Sequence, residues 1–271
     1  MGVRPPYLFD TDAASLSVET DVEGAVTIMA IRGTWDRPLW RRTSTALRKC
    51  LAEHGAAVIV DLSALDDPAA ESAPTWITAQ SIAASMQPPV QMALCVPPDL
   101  ILADRLQELG VRRFLPVYAK VRQARVALAS RLPLTERLVL RLAPDPIAPS
   151  LARNLVGDAC QAWVLPQTLH PARLVVSELV ANAVEHAGTD ITIILSRRGT
   201  GLHMAVFDGD RRMPQLRALA PPQPGLPLDE RGRGLQTVHA TATVWGAMST
   251  PDGKMVWATV RTPERVRKPL A

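Results

Sequence analysis

One predicted helix carries a stripe of polar side chains that could bind a ligand. The segment VVSELVANAVEHAG, residues 175–188, has the apolar spacing of a helix that buries one face. Glu178, Asn182 and His186 recur at every fourth position, so a helix places them in one line. A carboxylate can accept a proton, and a carboxamide oxygen can ligate a hard cation. The stripe indicates either such a site or the ordinary polar residues of a helix, and His186 also fits a helix C-terminus.

Two further patterns follow the stripe in the chain. The predicted strand in VFDGD ends at Asp208 and Gly209, which also fits a simple turn. In RGRGLQTV, residues 231–238, Gly232 and Gly234 precede a predicted helix. Glycines there let a phosphate reach backbone N–H groups at the positive end of the helix dipole, and neighbouring arginines add charge. The order of acid, amide, acid and glycine loop favours a phosphate-binding site over unrelated turns.

Composition sets limits on size, partners and compartment. A chain of 271 residues has room for about two domains. The net charge is +4, and the arginines are scattered without interleaved aromatics, which favours a solvated surface over a nucleic-acid-binding face. Three cysteines without C-x-x-C spacing predict neither a zinc site nor disulfides, as in a reducing cytoplasm. The uncharged stretch 72–98 contains Gln and Pro, so we expect a helix and a strand there, not a membrane span.

The first half alternates strand and helix patterns, which predicts an α/β layer. The predicted strands cover residues 25–33, 56–63 and 90–96, and the predicted helices cover 40–55, 74–86, 99–109 and 119–131. A change of character around Pro133 places a domain boundary near residues 130–136.

The second half combines helices with hairpins, which predicts an α+β sandwich. We expect strands at 137–142, 190–197, 201–207, 243–248 and 254–261, helices at 149–163, 170–187 and 232–240, and a Pro-rich loop at 209–230. This order predicts one mixed, mostly antiparallel sheet with helices on one face. A parallel dinucleotide-binding sheet does not fit it.

The motifs of the second half resemble those of a known family. SELVANAVEHA, VFDGD, RGRGLQTV and WG…GKMVWATV are similar to the anti-sigma regulatory factors, serine-kinase-like members of the GHKL ATPase superfamily. The resemblance implies a two-layer α+β Bergerat-type ATP-binding domain over residues 136–263. It implies that Glu178 serves as general base or as orienting carboxylate for an incoming hydroxyl or water. It also implies that Asn182 coordinates Mg²⁺ and that Asp208 accepts a hydrogen bond from the adenine amino group.

The resemblance also implies the rest of the nucleotide site. The further residues implied for ATP binding are Gly209, Gly232, Arg233, Gly234 and Leu235, with residues 211–231 as a lid. The chain departs from the family pattern at two positions. Asp210 stands where the family often has Gly or Ser and adds a negative charge near the pocket. Met255 stands where the family often has Thr.

The first half resembles the STAS fold of anti-sigma factor antagonists, over a domain of residues 14–130. The resemblance rests on its strand and helix order and on VIVDLS. In that family a serine at a helix N-terminus accepts phosphate, but the matching Asp-Ser pair falls on Ala69 and Ala70 here. Ser72 is the nearest hydroxyl, shifted by two positions. We therefore expect a docking or sensing module that is not phosphorylated, with a generic α/β domain as the alternative.

Together these resemblances predict a cytoplasmic partner-switching regulator that binds ATP and Mg²⁺. One implied activity is phosphorylation of a serine on an antagonist protein of STAS fold. The alternative is a non-catalytic, nucleotide-gated protein that sequesters a sigma factor or an antagonist. A homodimer is compatible with either, and direct contact with nucleic acid or a membrane is not expected. A sensor histidine kinase is disfavoured because no helical hairpin with a phosphoacceptor histidine precedes the ATP-binding motifs.

Overall fold

The computed structural model describes residues 7–9, 14–21, 26–53, 56–86, 89–130, 137–216, 234–250 and 252–261. The strands are β1 (Tyr7–Phe9), β2 (Leu16–Asp21), β3 (Val26–Thr34), β4 (Ala57–Asp66), β5 (Gln91–Cys95), β6 (Val117–Tyr118), β7 (Arg137–Leu142), β8 (Ile191–Arg198), β9 (Gly201–Asp208), β10 (Val244–Thr250) and β11 (Gly253–Arg261). The helices are α1 (Arg37–Glu53), α2 (Ala73–Ser85), α3 (Ile101–Glu108), α4 (Val121–Ala129), α5 (Ala148–Ala162), α6 (Leu169–His186) and α7 (Gly234–Thr241), with a 3₁₀ turn at Val111–Arg113. None of these helices has the length and apolar character of a bilayer span.

The first sheet has the order β2-β3-β4-β5-β6. Strands β3 to β6 are parallel, and β2 joins β3 in antiparallel pairing. The continuous apolar run in β4 explains its place near the middle, because Val58, Ile59 and Val60 are fully buried on both faces. The predicted α/β layer is therefore confirmed for this half.

Local side-chain chemistry corrects one helix boundary. Helix α1 begins at Arg37, earlier than the predicted residue 40. The Leu39 backbone N–H donates to Asp36 Oδ1 at 2.7 Å, so Asp36 caps the free N–H groups of the first turn. Pro38 fits in that turn because its missing N–H has no partner to lose.

The second sheet has the order β1-β10-β11-β9-β8-β7. All neighbours are antiparallel except β1 and β10. Helices α5, α6 and α7 cover one face, where Val206 and Ala258 pack with Val176 and Val180 of α6. The predicted mixed sheet with helices on one face is confirmed.

The opposite face of the second sheet packs against the first half of the chain. On β11, Met255 and Trp257 belong to the same apolar cluster as the core of the first sheet, while Val256 and Ala258 pack under the helices. The Thr20 hydroxyl donates to Met248 Sδ at 3.3 Å across this interface. The two halves thus share an apolar core, an arrangement that the sequence did not predict.

Among the described strands, β1, β2 and β6 were also not predicted. Strand β2 pairs with β3, and β1 pairs with β10, so residues 7–9 belong to the sheet of the second half. The predicted domain boundary covers residues 130–136, and all of these except Ser130 lie outside the described ranges.

Candidate functional site

Helix α6 supplies the polar stripe of the candidate site. Its buried side consists of apolar side chains such as Val175 and Leu179, which are 0% and 2% exposed. Glu178 and Asn182 lie one turn apart on another side of the helix and are half-buried. His186 is exposed at the last helical residue. Glu178 and Asn182 are thus the members of the stripe that can shape a sheltered site.

Gly234 closes that site from the start of α7. A Cβ atom at position 234 would lie 2.8 Å from Glu178 Oε2 and 3.2 Å from Asn182 Oδ1. The first contact is closer than side chains tolerate, so only glycine lets α7 begin against α6 without displacing these two groups. The structure therefore brings together an acid, an amide and a glycine that the sequence had marked separately.

Within the described part of the chain, one atom of the Asn182 carboxamide, Nδ2, has no hydrogen-bond partner. Its Nδ2 atom is buried, and no acceptor lies within reach among the described residues. A buried polar group without a partner costs about 1–3 kcal/mol, and such groups are rare in folded proteins. A phosphate oxygen would accept from Nδ2, and Oδ1 is the kind of oxygen that Mg²⁺ binds. Both atoms fit the predicted Mg²⁺ and ATP.

The Glu178 carboxylate is also destabilised by its surroundings. Desolvation by burial raises the pKa of Glu178 above its ordinary value. The folded protein therefore binds the Glu178 proton more tightly than the unfolded chain does, and the free energy of unfolding falls as pH rises through this range. A raised pKa also makes the carboxylate a better proton acceptor at neutral pH.

Glu178→Gln should accordingly stabilise the ligand-free protein. We expect a melting temperature higher by up to about 2 °C near pH 7, because solvent screens part of the effect. The gain should disappear near pH 4, where wild-type Glu178 is itself protonated in both states. Scanning calorimetry at both pH values measures it. An equal gain at both would show that charge burial at position 178 is not the cause.

Asp208 lies in a buried ion pair that the sequence did not predict. Lys254 Nζ lies 2.8 Å from Asp208 Oδ1, and the two side chains are 8% and 2% exposed. The same oxygen accepts from the backbone N–H of Asp210 at 2.9 Å. Residues 208 and 254 are register partners on β9 and β11, which places the lysine directly beside the carboxylate. Whether Asp208 also contacts adenine stays a prediction.

The loop after β9 is fixed to the C-terminal end of α6. The Gly209 N–H donates to Thr189 Oγ1 at 2.8 Å, and Arg212 Nη2 donates to the His186 carbonyl at 3.0 Å. Asp210 accepts from Arg212 Nε at 3.1 Å and lies 3.5 Å from Lys254 Nζ. Desolvation opposes ionisation, but these bonds and charges lower the pKa of Asp210 to about 2. The extra negative charge is thus balanced by two cations of the chain.

The remaining predicted residues fall into two groups. Leu235 is half-buried in the first turn of α7, next to Gly234. Gly232 and Arg233 lie outside the described residues, as does the lid beyond residue 216. Met255 is 1% exposed and packs in the core shared with the first sheet, so this departure from the family pattern lies away from Glu178 and Asn182.

Sequence reasoning missed three residues that hold the site loop, namely Lys254, Thr189 and Arg212. Thr189 and Arg212 connect the end of α6 with the loop after β9. Strands β8 and β9 separate these two segments in the sequence, so no local pattern indicates the contacts. The Gly-Lys pair of the last hairpin is a local signal for Lys254, but its partner depends on strand register.

Ser72 is enclosed by the protein. It is 0% exposed, and its Oγ accepts from Trp76 Nε1 at 2.9 Å. The Ser72 backbone N–H donates to Asp67 Oδ2 at 3.0 Å, and the Glu71 N–H donates to Asp67 Oδ1. A hydroxyl in this position cannot reach a phosphate donor without local unfolding, which supports the expectation that this half is not phosphorylated at Ser72.

Ser72→Ala should destabilise the protein although it removes only one oxygen. The buried Trp76 indole N–H would lose its acceptor, at a cost of about 1–3 kcal/mol in the free energy of unfolding. Urea denaturation measures this loss. Ser81→Ala is the matched control, because Ser81 is exposed on the same helix and donates to the Ile77 carbonyl. Equal effects of the two substitutions would contradict the prediction.

Comparison with known proteins finds a match for the second half of the chain. Residues 142–260 match a family model described as "Histidine kinase-like ATPase domain". No curated protein matches the chain. Among solved structures, the chain is similar to an anti-sigma factor antagonist from Mycobacterium paratuberculosis, with 15% identity, a TM-score of 0.35, and coverage of 41% of this chain and 91% of that one.

A second solved structure shows a comparable likeness. It contains the RsbU and RsbW domains of a Mycobacterium tuberculosis protein, with 20% identity and a TM-score of 0.36. The match covers 48% of this chain and 34% of that chain, so it spans about a third of that structure.

Proposed function

We propose that this chain is an ATP-binding regulator of the partner-switching type, whose nucleotide site lies between α6 and the start of α7. The observation that carries the proposal is the approach of Gly234 to Glu178 and Asn182. The match of residues 142–260 to the histidine kinase-like ATPase domain supports it. The three buried cysteines form no disulfide, which supports a reducing cytoplasmic location as part of this proposal.

In this proposal the residues of the site divide the work of binding Mg-ATP. Asn182 would hold Mg²⁺ through Oδ1, and its unpaired Nδ2 would donate to a phosphate oxygen. Gly234 lets the start of α7 lie against Glu178 and Asn182, and its N–H, at the positive end of α7, would donate to the phosphates. The bound cation would neutralise charge on the phosphates. Asp208, beside the C-terminal end of α6, would select adenine, so Asp208→Asn should reduce the preference for ATP over GTP.

We further propose that Glu178 supports phosphoryl transfer to a serine of a STAS-fold antagonist. Its carboxylate would accept the proton of the incoming serine hydroxyl while the serine oxygen bonds to the γ-phosphorus and ADP leaves. The raised pKa of Glu178 suits this role. Labelled ATP and candidate STAS proteins test it. Transfer that is lost in Glu178→Gln is expected, and absence of transfer despite measured ATP binding would exclude kinase activity.

The second candidate function is nucleotide-gated binding without catalysis. The enclosed Ser72 favours it, because the chain's own STAS-like half then offers no accessible phosphoacceptor at that helix. The two functions differ in their dependence on the acid. If Glu178→Ala leaves binding of a sigma factor or antagonist under ATP control while Asn182→Ala abolishes that control, the non-catalytic function is correct.

A further inference from the structure

The exposed side of α1 carries an arginine-rich face. At 100° per residue, Arg37, Arg41 and Arg48 lie within one narrow sector of the helix, and all three are exposed. Arg42 is exposed beside them, and a gap of about 440 Å³ is bounded by Arg37, Pro38, Arg41 and Arg42. The opposite side of α1 packs in the core through Leu39, Ala46 and Cys50. The arginines are therefore not needed to fold the helix.

These arginines have no carboxylate partner within the described part of the chain. Other surface arginines do: Arg105 pairs with Glu108 at 3.1 Å, and Arg212 pairs with Asp210. On the arginine-rich face, Arg48 Nε donates a hydrogen bond to the Ser44 carbonyl at 3.3 Å. Like charges on one helix face repel each other, so arginines there without acids destabilise the helix. A partner that carries the opposite charge would relieve this repulsion.

An exposed tryptophan flanks the arginines. Trp40 is 45% exposed, whereas Trp76, Trp245 and Trp257 are 0–2% exposed in the cores. Trp and Arg are the residue types that contribute most to binding energy at protein–protein interfaces, where Lys is depleted. The composition of the face, four arginines and one tryptophan, matches such an interface.

We propose that this α1 face docks a protein partner that presents an acidic segment. Charge complementarity selects the partner: guanidinium groups pair bidentately with Asp and Glu carboxylates, and Trp40 supplies apolar contact area. A nucleic acid is less suited, because the face offers one aromatic side chain and its basic charge is confined to α1. The inference does not depend on nucleotide binding, since α1 belongs to the first half of the chain.

The test uses the full-length protein in its native cells with a photo-crosslinking amino acid at Thr45, which is exposed on the arginine face. The same amino acid at Val126, 68% exposed on α4, is the control. We expect a crosslink at position 45 to one protein through a peptide rich in Asp and Glu. Yields at position 45 no higher than at position 126, crosslinks confined to the chain itself, or crosslinks to nucleic acid would overturn the proposal.

Charge reversal then tests the electrostatic part with the purified partner. The triple variant Arg37→Glu/Arg41→Glu/Arg48→Glu should weaken binding at least about tenfold. Arg112→Glu/Arg113→Glu/Arg122→Glu carries the same change of charge on other exposed arginines and should bind like wild type. Acid-to-Lys changes in the crosslinked peptide should restore binding to the first variant. Equal losses of affinity in the two triple variants would overturn the proposal. If the Glu variants unfold, the corresponding Arg→Gln triple variants are compared instead.

Discussion

Asn182→Ala is expected to weaken Mg-ATP binding about 10- to 100-fold, which corresponds to the ~1.5–3 kcal/mol of a hydrogen bond to a charged group. The same variant should be at least as stable as wild type without nucleotide. The reason is that Nδ2 of Asn182 is buried and finds no acceptor among the described residues, so its removal relieves a cost of folding. Isothermal titration calorimetry measures the affinity, and urea denaturation measures the stability.

The control for this prediction is Asn154→Ala. Asn154 is exposed on α5 and does not belong to the candidate site, so its removal should leave the ATP affinity unchanged. An Asn182→Ala protein that binds Mg-ATP as wild type does would show that the carboxamide does not contact the nucleotide. A large loss of stability in that variant would show instead that Asn182 is a structural residue.

Lys254→Met is expected to lower the free energy of unfolding by about 3–5 kcal/mol, the usual cost of breaking a buried ion pair on one side. Methionine keeps the length of the side chain but leaves the Asp208 carboxylate, 2% exposed, without its cation. Lys254 also donates to the Asp210 carbonyl at 3.0 Å, so the loop after β9 should loosen as well. Chemical denaturation monitored by tryptophan fluorescence gives the change.

The double variant Asp208→Asn/Lys254→Met separates charge from packing. The double variant has no buried carboxylate left without a cation. It should therefore regain most of the lost stability, because replacing both members of a buried pair costs little. A double variant no more stable than Lys254→Met would assign the loss to packing. If the free energy of unfolding of Lys254→Met lies within about 0.5 kcal/mol of the wild-type value, the range of surface substitutions, the buried ion pair itself is contradicted.

The parts of the site that could be predicted from sequence are those with a local signal. The spacing of Glu178 and Asn182 within one helix fixes their common face, and the helix formed close to the predicted bounds. Gly234 has a local signal as a helix start, yet only packing of α7 on α6 places it against the two polar residues. The resemblance to a family supplied the connection between them that helical periodicity could not.

The parts that could not be predicted depend on contacts between distant segments. The pairing of Asp208 with Lys254 needs the register of β9 on β11, and a slip of one residue would turn the lysine to the other face. The pairing of β1 with β10 joins the two ends of the chain, which no local pattern encodes. The packing of Met255 and Trp257 of β11 against the first half of the chain likewise has no local signal.

The most direct measurement of the central claim is NMR of the Asn182 carboxamide in the presence of Mn-ATP. The chain contains two asparagines, 154 and 182, so selective labelling gives two side-chain signals, and Asn154→Ala assigns them. We expect paramagnetic Mn²⁺ bound with ATP to abolish the Asn182 signal at a lower Mn-ATP occupancy than the Asn154 signal, because the broadening falls steeply with distance from the metal. An Asn182 signal that persists at saturating Mn-ATP would contradict a nucleotide site between α6 and α7.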